Sequence, residues 1–296
     1  MTKEKFLQVL REERGNSVYT VEAYGRDLGD FETFLKERTV SSLNDAGQTD
    51  VIAYMRHLKD KNRSNSTQCR RLSALRSYYR MGVRDGSVGE DPTTGISTPA
   101  PARRGENIPY FTIEEINMLM EMPDDSTKGI RDKAMLELVY ATGIKAAELV
   151  DLNLSNLNMS MGFVTCSSAH GLARIIPMNN HSKEAMKAYL ETARPILTGV
   201  RTKDEAEDAP VFVNYKGGRM TRQGFWLVMK EYGKRAGLET VMTPHVLRNS
   251  FAIHMIQNGA DLKTLQELMG SRDLQPYIAV TKNRIKDVYD RAIPRK

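Results

Sequence analysis

Thr243 to Gly270 read TPHVLRNSFAIHMIQNGADLKTLQELMG, and the pattern predicts two helices, at about 243–258 and 261–269. His245 and Arg248 stand three residues apart, so on a helix they share a face and can converge on one anionic group. Arginine supplies a permanently charged two-pronged donor, and histidine supplies a proton near neutral pH. A lone H-x-x-R is more often a surface pair. Here it opens the run H-x-L-R-x-S-F-A-x-H, followed by G-A-D-L-x-x-x-Q-x-x-x-G, a long and specifically spaced pattern. His254, which closes the first run, reads as a structural histidine near the site.

Outward from this stretch, helices alternate with a few β-rich runs. Thr112-Ile-Glu-Glu115 is a capping box ahead of Ile116, Met118, Leu119 and Met122, and helices are predicted around 128–143 and 145–151. From Gly162 the runs FVTCSS and RIIPM, then PVFVN after a helix at about 182–194, predict a small sheet inserted in a helical domain. Helices at about 221–236 and 283–293 complete this half. Phe225, Trp226 and Met229 read as core, with Arg222 and Lys230 as phosphate or groove contacts.

The first hundred residues read as helices joined by polar turns. Phe6, Val9 and Leu10, then Tyr19 to Leu35, carry helical spacing; a third helix runs from about Thr49 to Lys59. A fourth begins near Ser64 and turns Leu72, Leu75, Tyr78, Tyr79 and Met81 inward, with Arg70, Arg71, Arg76, Arg80 and Arg84 on its opposite face. Between Pro92 and Pro109, four prolines with Gly, Ser and Thr exclude a regular element. The expected domains are therefore 1–97 and 110–296, joined by a linker at 98–109.

The 296 residues favour two domains, each long enough for its own core. At 40% hydrophobic and 27% charged, with 21 Gly and 11 Pro, the chain is neither collagenous nor low-complexity. No apolar run approaches the roughly 18 residues of a membrane span, and the charged opening MTKEKFLQVLREERGN lacks signal-peptide character, so a cytoplasmic protein is expected. Cys69 and Cys166 fit neither a disulfide framework nor a zinc site. The net charge of +6 is unremarkable. Its distribution is not: from Arg56 to Arg84, Arg56, Lys59, Lys61, Arg63, Arg70, Arg71, Arg76, Arg80 and Arg84 face the single acid Asp60. A solvated helix face usually mixes both signs, so the second reading, a phosphate-backbone contact surface, is preferred.

On these residues the chain resembles the tyrosine recombinase (phage integrase) family, most closely its Xer-type branch. The resemblance covers nearly the whole chain. Ala141 to Leu149, ATGIKAAEL, is similar to the segment around the family's first catalytic arginine; Thr165 to Met178 to its β-hairpin; Val288 to Pro294, VYDRAIP, to the Xer-type C-terminus. The implied fold is mainly α: an N-terminal four-helix SAM-like core-binding domain plus a C-terminal mixed α catalytic domain with a small β-sheet, closing as a C-shaped clamp on DNA. Family members attack a DNA phosphodiester with a tyrosine hydroxyl, forming a 3′-phosphotyrosyl link without metal or nucleotide cofactor. The resemblance assigns Tyr277 as nucleophile and keeps His245 and Arg248 in their roles. It implies double-stranded DNA as partner, and a homo-tetramer on paired sites or a hetero-complex with a related recombinase, the terminal helix docking into a neighbouring protomer. No membrane partner is expected. Arg63, Arg70, Arg71, Arg76, Arg103, Arg104, His170, Arg174 and Arg222 are the expected DNA contacts.

Four positions depart from the family pattern. Lys145 stands at the first arginine and keeps the charge without the planar fork. Leu172 aligns with the hairpin lysine, and His170 or Arg174 are its only candidate substitutes. Ser271 replaces an imidazole after Gly270. The stretch from Leu274 to Tyr277 is about three residues short, and with Pro276 directly before the tyrosine the helix that presents the nucleophile in the family is not assumed. The expectation is DNA binding with impaired cleavage. The alternatives are a catalytically inactive DNA-binding regulator or accessory protein, and, outside both, a basic surface for an acidic protein. Tyr277 also reads as a packing residue, and Tyr289 as core or interface.

Overall fold

The computed structural model describes residues 1–13, 18–97, 108–167, 173–200, 202, 205–238, 242–271, 274 and 276–278. The chain divides into two compact units, Met1–Arg104 and Gly105–Lys296.

In the first unit, α1 (Lys3–Glu12) starts at Thr2, whose hydroxyl accepts the Lys5 N–H at 3.2 Å; α2 is Val18–Glu37 and α3 is Gln48–Asp60. α4 (Asn65–Arg84) starts at Ser64, which accepts the Thr67 N–H at 3.2 Å. As its spacing predicts, Leu72, Leu75, Tyr78, Tyr79 and Met81 of α4 are buried, among Phe6, Leu28, Phe31 and Tyr54 of the other three helices. Each fully buried side chain of this kind contributes about 1.5–3 kcal/mol, and Leu72→Ala would cost about 2–5 kcal/mol.

The second unit opens on α5 (Ile113–Glu121), with the predicted capping box in place: Thr112 Oγ1 accepts the Glu115 N–H at 3.2 Å, and Glu115 Oε2 accepts the Thr112 N–H at 2.7 Å. α6 (Thr127–Thr142) is enclosed on nearly every side, with Met135, Leu136, Leu138 and Val139 fully buried. Gly143 stops it at φ +60°, where a Cβ would lie 2.2 Å from the Phe251 ring, so only glycine fits. α7 (Ala146–Asp151) leads to an antiparallel sheet of order β1 (Leu157–Asn158), β2 (Phe163–Ser167), β3 (Ala173–Pro177), in which Cys166 faces Arg174.

Two sequence expectations differ here. PVFVN is not a strand: Pro210 and Val213 make isolated bridges to Asn153 and Arg219. The Val211 N–H donates to the Leu152 carbonyl at 2.9 Å, and a turn begins at Asn214, so this buried run lies along the exit of α7 and away from the sheet. The helix expected at 182–194 starts earlier and runs longer, as α8 (Asn180–Ala188), a π turn at Tyr189–Ala193, and α9 (Arg194–Thr198). α10 (Arg222–Arg235), α11 (Pro244–Gln257) and α12 (Leu262–Met269) follow. On α10, Phe225 and Met229 are buried as expected, but Trp226 is 40% exposed, its ring 5.2 Å from Lys230 Nζ. The helix expected at 283–293 lies outside the described residues. No helix among the described residues is long and apolar enough to cross a membrane.

Candidate functional site

α11 begins at Thr243, whose hydroxyl accepts the Val246 N–H at 3.2 Å, with Pro244 at the first helical position, where a missing N–H costs nothing. One turn in, His245 is exposed and Arg248 is buried. Arg248 Nη1 donates to the Gly143 carbonyl and Nη2 to the Met269 carbonyl at 2.8 Å, so one guanidinium ties the exits of α6 and α12 to the start of α11. Burial holds Arg248 below the ordinary arginine range, with the Glu148 carboxylate and the neighbouring Tyr277 opposing that effect. Partial desolvation of the His245 ring, which is exposed on its outer side, and then the Arg248 charge, lower the imidazole pKa, so the neutral form is favoured at pH 7.

Tyr277 comes to the same place. The Tyr277 and Ile278 N–H groups both donate to the Leu274 carbonyl, at 3.0 and 3.2 Å, and 276–278 form a helical turn. Pro276 therefore does not prevent a helical presentation, because it occupies a position whose N–H is not needed. The Tyr277 ring is 7% exposed, beside Arg248, and its hydroxyl donates to Asn249 Oδ1 at 3.1 Å.

The hairpin adds a second cation. Arg174 on β3 gives both terminal nitrogens to Glu148, at 2.8 and 2.7 Å, and its Nε to the Leu268 carbonyl at 2.8 Å. Gly270 (φ +57°) sits so close that a Cβ would stand 2.9 Å from Arg174 Nη1. Glu148 also accepts the Lys145 backbone N–H at 2.8 Å, which caps α7. The Lys145 ammonium lies 4.0 Å from Glu148, and its side chain is 52% exposed. Cys166, opposite Arg174, is buried; burial and the Glu148 charge push its thiol up to about 11, so it stays protonated.

Two family models match this chain: the phage integrase family over residues 109–284, and the phage integrase N-terminal SAM-like domain over 4–86. The chain is 38% identical over 296 residues to "Tyrosine recombinase XerD" of Oceanobacillus iheyensis, covering 99% of this chain and 98% of that one. It is 37% identical over 298 residues to the protein of the same name from Listeria monocytogenes, with 99% and 98% covered. The chain belongs to the phage integrase (tyrosine recombinase) family. Its fold is likewise that of a lambda integrase dimer bound to a COC' core site (TM-score 0.68, 16% identity, 94% and 92% covered). A Tn1549 transposon integrase in complex with a circular intermediate DNA has the same fold (TM-score 0.71, 16% identity, 99% and 100% covered).

Of the integrase-type site expected from sequence, Arg248, Tyr277 and His245 are brought together, Lys145 lies on the approach to the Glu148–Arg174 pair, and Ser271 follows Gly270 at the end of α12. His170 and Leu172 lie outside the described residues, as do Arg103, Arg104 and Tyr289. Arg174 is held by Glu148 and a backbone carbonyl, so three of its five N–H donors are engaged within the protein. His254 is structural as expected: it is buried, and its Nδ1 lies 2.9 Å from the Tyr140 hydroxyl.

The basic helix of the first unit differs in detail from its expected outward face. Arg70 is exposed but paired with buried Asp27. Arg71 is largely enclosed, donating to the Tyr54 hydroxyl at 2.6 Å and pairing with Asp30. Arg76 donates to the Ile96 carbonyl. A helical wheel places these three on the polar side, but acids and carbonyls from other segments reach them there. Arg56, Lys59, Lys61, Arg63, Arg80 and Arg84 are exposed, as is Arg222 at the start of α10. Two site residues escaped the sequence reading. Glu148 had a signal, its capping-box spacing from Lys145; Asn249 had none.

Proposed function

We propose that this integrase-family chain is a DNA-binding recombinase acting on specific duplex sites through a 3′-phosphotyrosyl intermediate, with cleavage slower than a complete site would give. The observation that carries the proposal is that Arg248 has both His245 and the Tyr277 hydroxyl beside it. In the step proposed, the Tyr277 oxygen bonds to the phosphorus as its proton passes to a solvent water, and the bond to the 5′ oxygen breaks as that oxygen takes a proton from water. Bond energy is retained, so a second strand can religate. Arg248 and Lys145 offset the charge that develops on the phosphoryl oxygens, and neutral His245 offers an N–H donor. Lys145 binds one oxygen where a guanidinium would grip two, and Ser271 replaces an imidazole; losses of about 2–4 kcal/mol per electrostatic donor make slow cleavage the expectation. In this reading exposed Arg63 of the first unit and exposed Arg222 of the second are among the phosphate contacts, and the assembly on DNA is a tetramer or a mixed complex with a related recombinase.

A second reading, a DNA-binding regulator without cleavage, is favoured by the enclosure of Tyr277 and the engagement of its hydroxyl by Asn249. One experiment separates them. Duplexes selected for binding from a random-sequence pool are rebuilt as nicked suicide substrates and incubated with the protein. A covalent adduct that Tyr277→Phe abolishes supports the recombinase; tight binding with no adduct on any selected site supports the regulator.

A further inference from the structure

Asn249 is buried on α11, next in the chain to Arg248 and on none of the surfaces a duplex could reach. Its amide orientation is set from one side. Nδ2 donates to the Pro109 carbonyl at 3.0 Å, at the start of the segment that enters the second unit. That segment is pinned again two residues on, where the Phe111 N–H donates to Ser250 Oγ at 2.8 Å. With Nδ2 committed, Oδ1 is the atom turned toward Tyr277, and it accepts the hydroxyl proton at 3.1 Å. An amide oxygen accepts a hydrogen bond but is far too weak a base to take the proton. The hydroxyl so held is oriented inward, its ring 7% exposed, whereas His245 and Lys145 are exposed.

We infer that Asn249 is a positioning residue, a latch that holds the Tyr277 hydroxyl in a withdrawn place until a phosphate competes for it. The significance of the latch rests on Tyr277 being the nucleophile; its existence does not. Release is a local opening of the 276–278 turn, with the phenol leaving Oδ1 while the Asn249–Pro109 hydrogen bond stays in place. The latch also gives the Asn249 amide two separable duties, anchoring Pro109 through Nδ2 and holding Tyr277 through Oδ1, and side-chain substitutions divide them. Asn249→Leu keeps the size and loses both hydrogen bonds. Asn249→Asp keeps an acceptor for the hydroxyl and loses the donor to Pro109.

The test uses the full chain without DNA and tetranitromethane as probe, reading nitration of Tyr277 by peptide mass spectrometry, on variants first shown to melt cooperatively. Nitration requires the ring to leave its place, so the rate reports the open fraction. Asn249→Leu is expected to nitrate Tyr277 about fivefold faster than the parent, the ratio for loss of one hydrogen bond of ordinary net strength, with Asn249→Asp close to the parent. Should Asn249→Leu not fold, Asn249→Ala replaces it under the same criteria. No acceleration in the acceptor-less variant overturns the latch. Equal acceleration in the Asp variant also overturns it, since loss of the Pro109 anchor then accounts for the effect. A missing Tyr277-dependent DNA adduct leaves this result untouched, so the two readings fail separately.

Discussion

Glu148 and Arg174 form a two-pronged ion pair, with oxygen–nitrogen distances of 2.8 and 2.7 Å, across the gap between α7 and the hairpin. Both side chains are nearly enclosed, at 10% and 12% exposure. Removing one partner of such a pair strands the other charge, so Glu148→Gln should lose about 3 kcal/mol in urea unfolding at pH 7. Burial pushes the Glu148 carboxyl up, but the Arg174 hydrogen bonds, the Lys145 backbone N–H and the two cations outweigh it and hold the group below the usual carboxylate range. Its contribution is thus complete above the ordinary glutamate pKa and disappears as pH falls through the lowered native value. The gap between parent and Glu148→Gln should narrow below about pH 4, and a gap unchanged by acid would show that the charge is not what matters.

Lys145→Arg should raise the rate of adduct formation on a suicide duplex by about tenfold, by giving two phosphoryl oxygens a planar donor pair. Lys145→Ala should lower it about a hundredfold. Binding of uncleaved duplex should change little in both, because one phosphate contact among many is altered; a collapse of affinity in Lys145→Ala would mean that the residue serves binding.

The His245 imidazole should titrate below the ordinary histidine value, since its ring is partly desolvated and Arg248 stands beside it. Protonation then opposes folding: the stability the neutral ring preserves is complete above about pH 6.5 and declines below it. Proton NMR of the ring, assigned with His245→Gln, measures this directly. Adding duplex DNA should move the pKa upward, because a phosphate stabilises the imidazolium. A downward shift or none would place the phosphate elsewhere.

Arg63 and Arg71 belong to the same basic stretch but should behave oppositely. Arg63→Ala should leave unfolding unchanged and reduce the salt dependence of DNA binding by about one counterion. Arg71→Ala should destabilise the first unit by about 2–4 kcal/mol, because buried Asp27 loses one of its two cations and the Tyr54 hydroxyl loses its donor. Calorimetry and salt-titrated binding on the two variants decide this together.

The helices of α4, α5, α11 and α12 were legible because periodicity and caps are local: Ser64, Thr112, Thr243 and Asp261 each accept the N–H three residues on. The pair His245 and Arg248 was legible for the same reason. PVFVN misled because β-rich composition reports burial on a backbone that need not pair, and Val211, Phe212 and Val213 are buried without a strand. Trp226 departs from the core expected of an apolar ring because it stays 40% exposed, with Lys230 Nζ over its face. What the sequence hid is long-range: Glu148 meeting Arg174, Asp27 meeting Arg70, and Asn249 spanning Pro109 and Tyr277 are all pairings between segments that no spacing rule connects.

The carbonyls that receive Arg248 terminate two different helices, Gly143 after α6 and Met269 at the end of α12. A substitution there removes more than a charge; it unfastens a clasp at which three rods of the second unit meet. A protein disabled at Arg248 is therefore a poor stand-in for an intact but unreactive one, since any change in its DNA affinity mixes lost contact with altered architecture. Tyr277→Phe deletes a single oxygen and leaves that clasp fastened, which makes it the cleaner background for capturing the protein on uncut DNA.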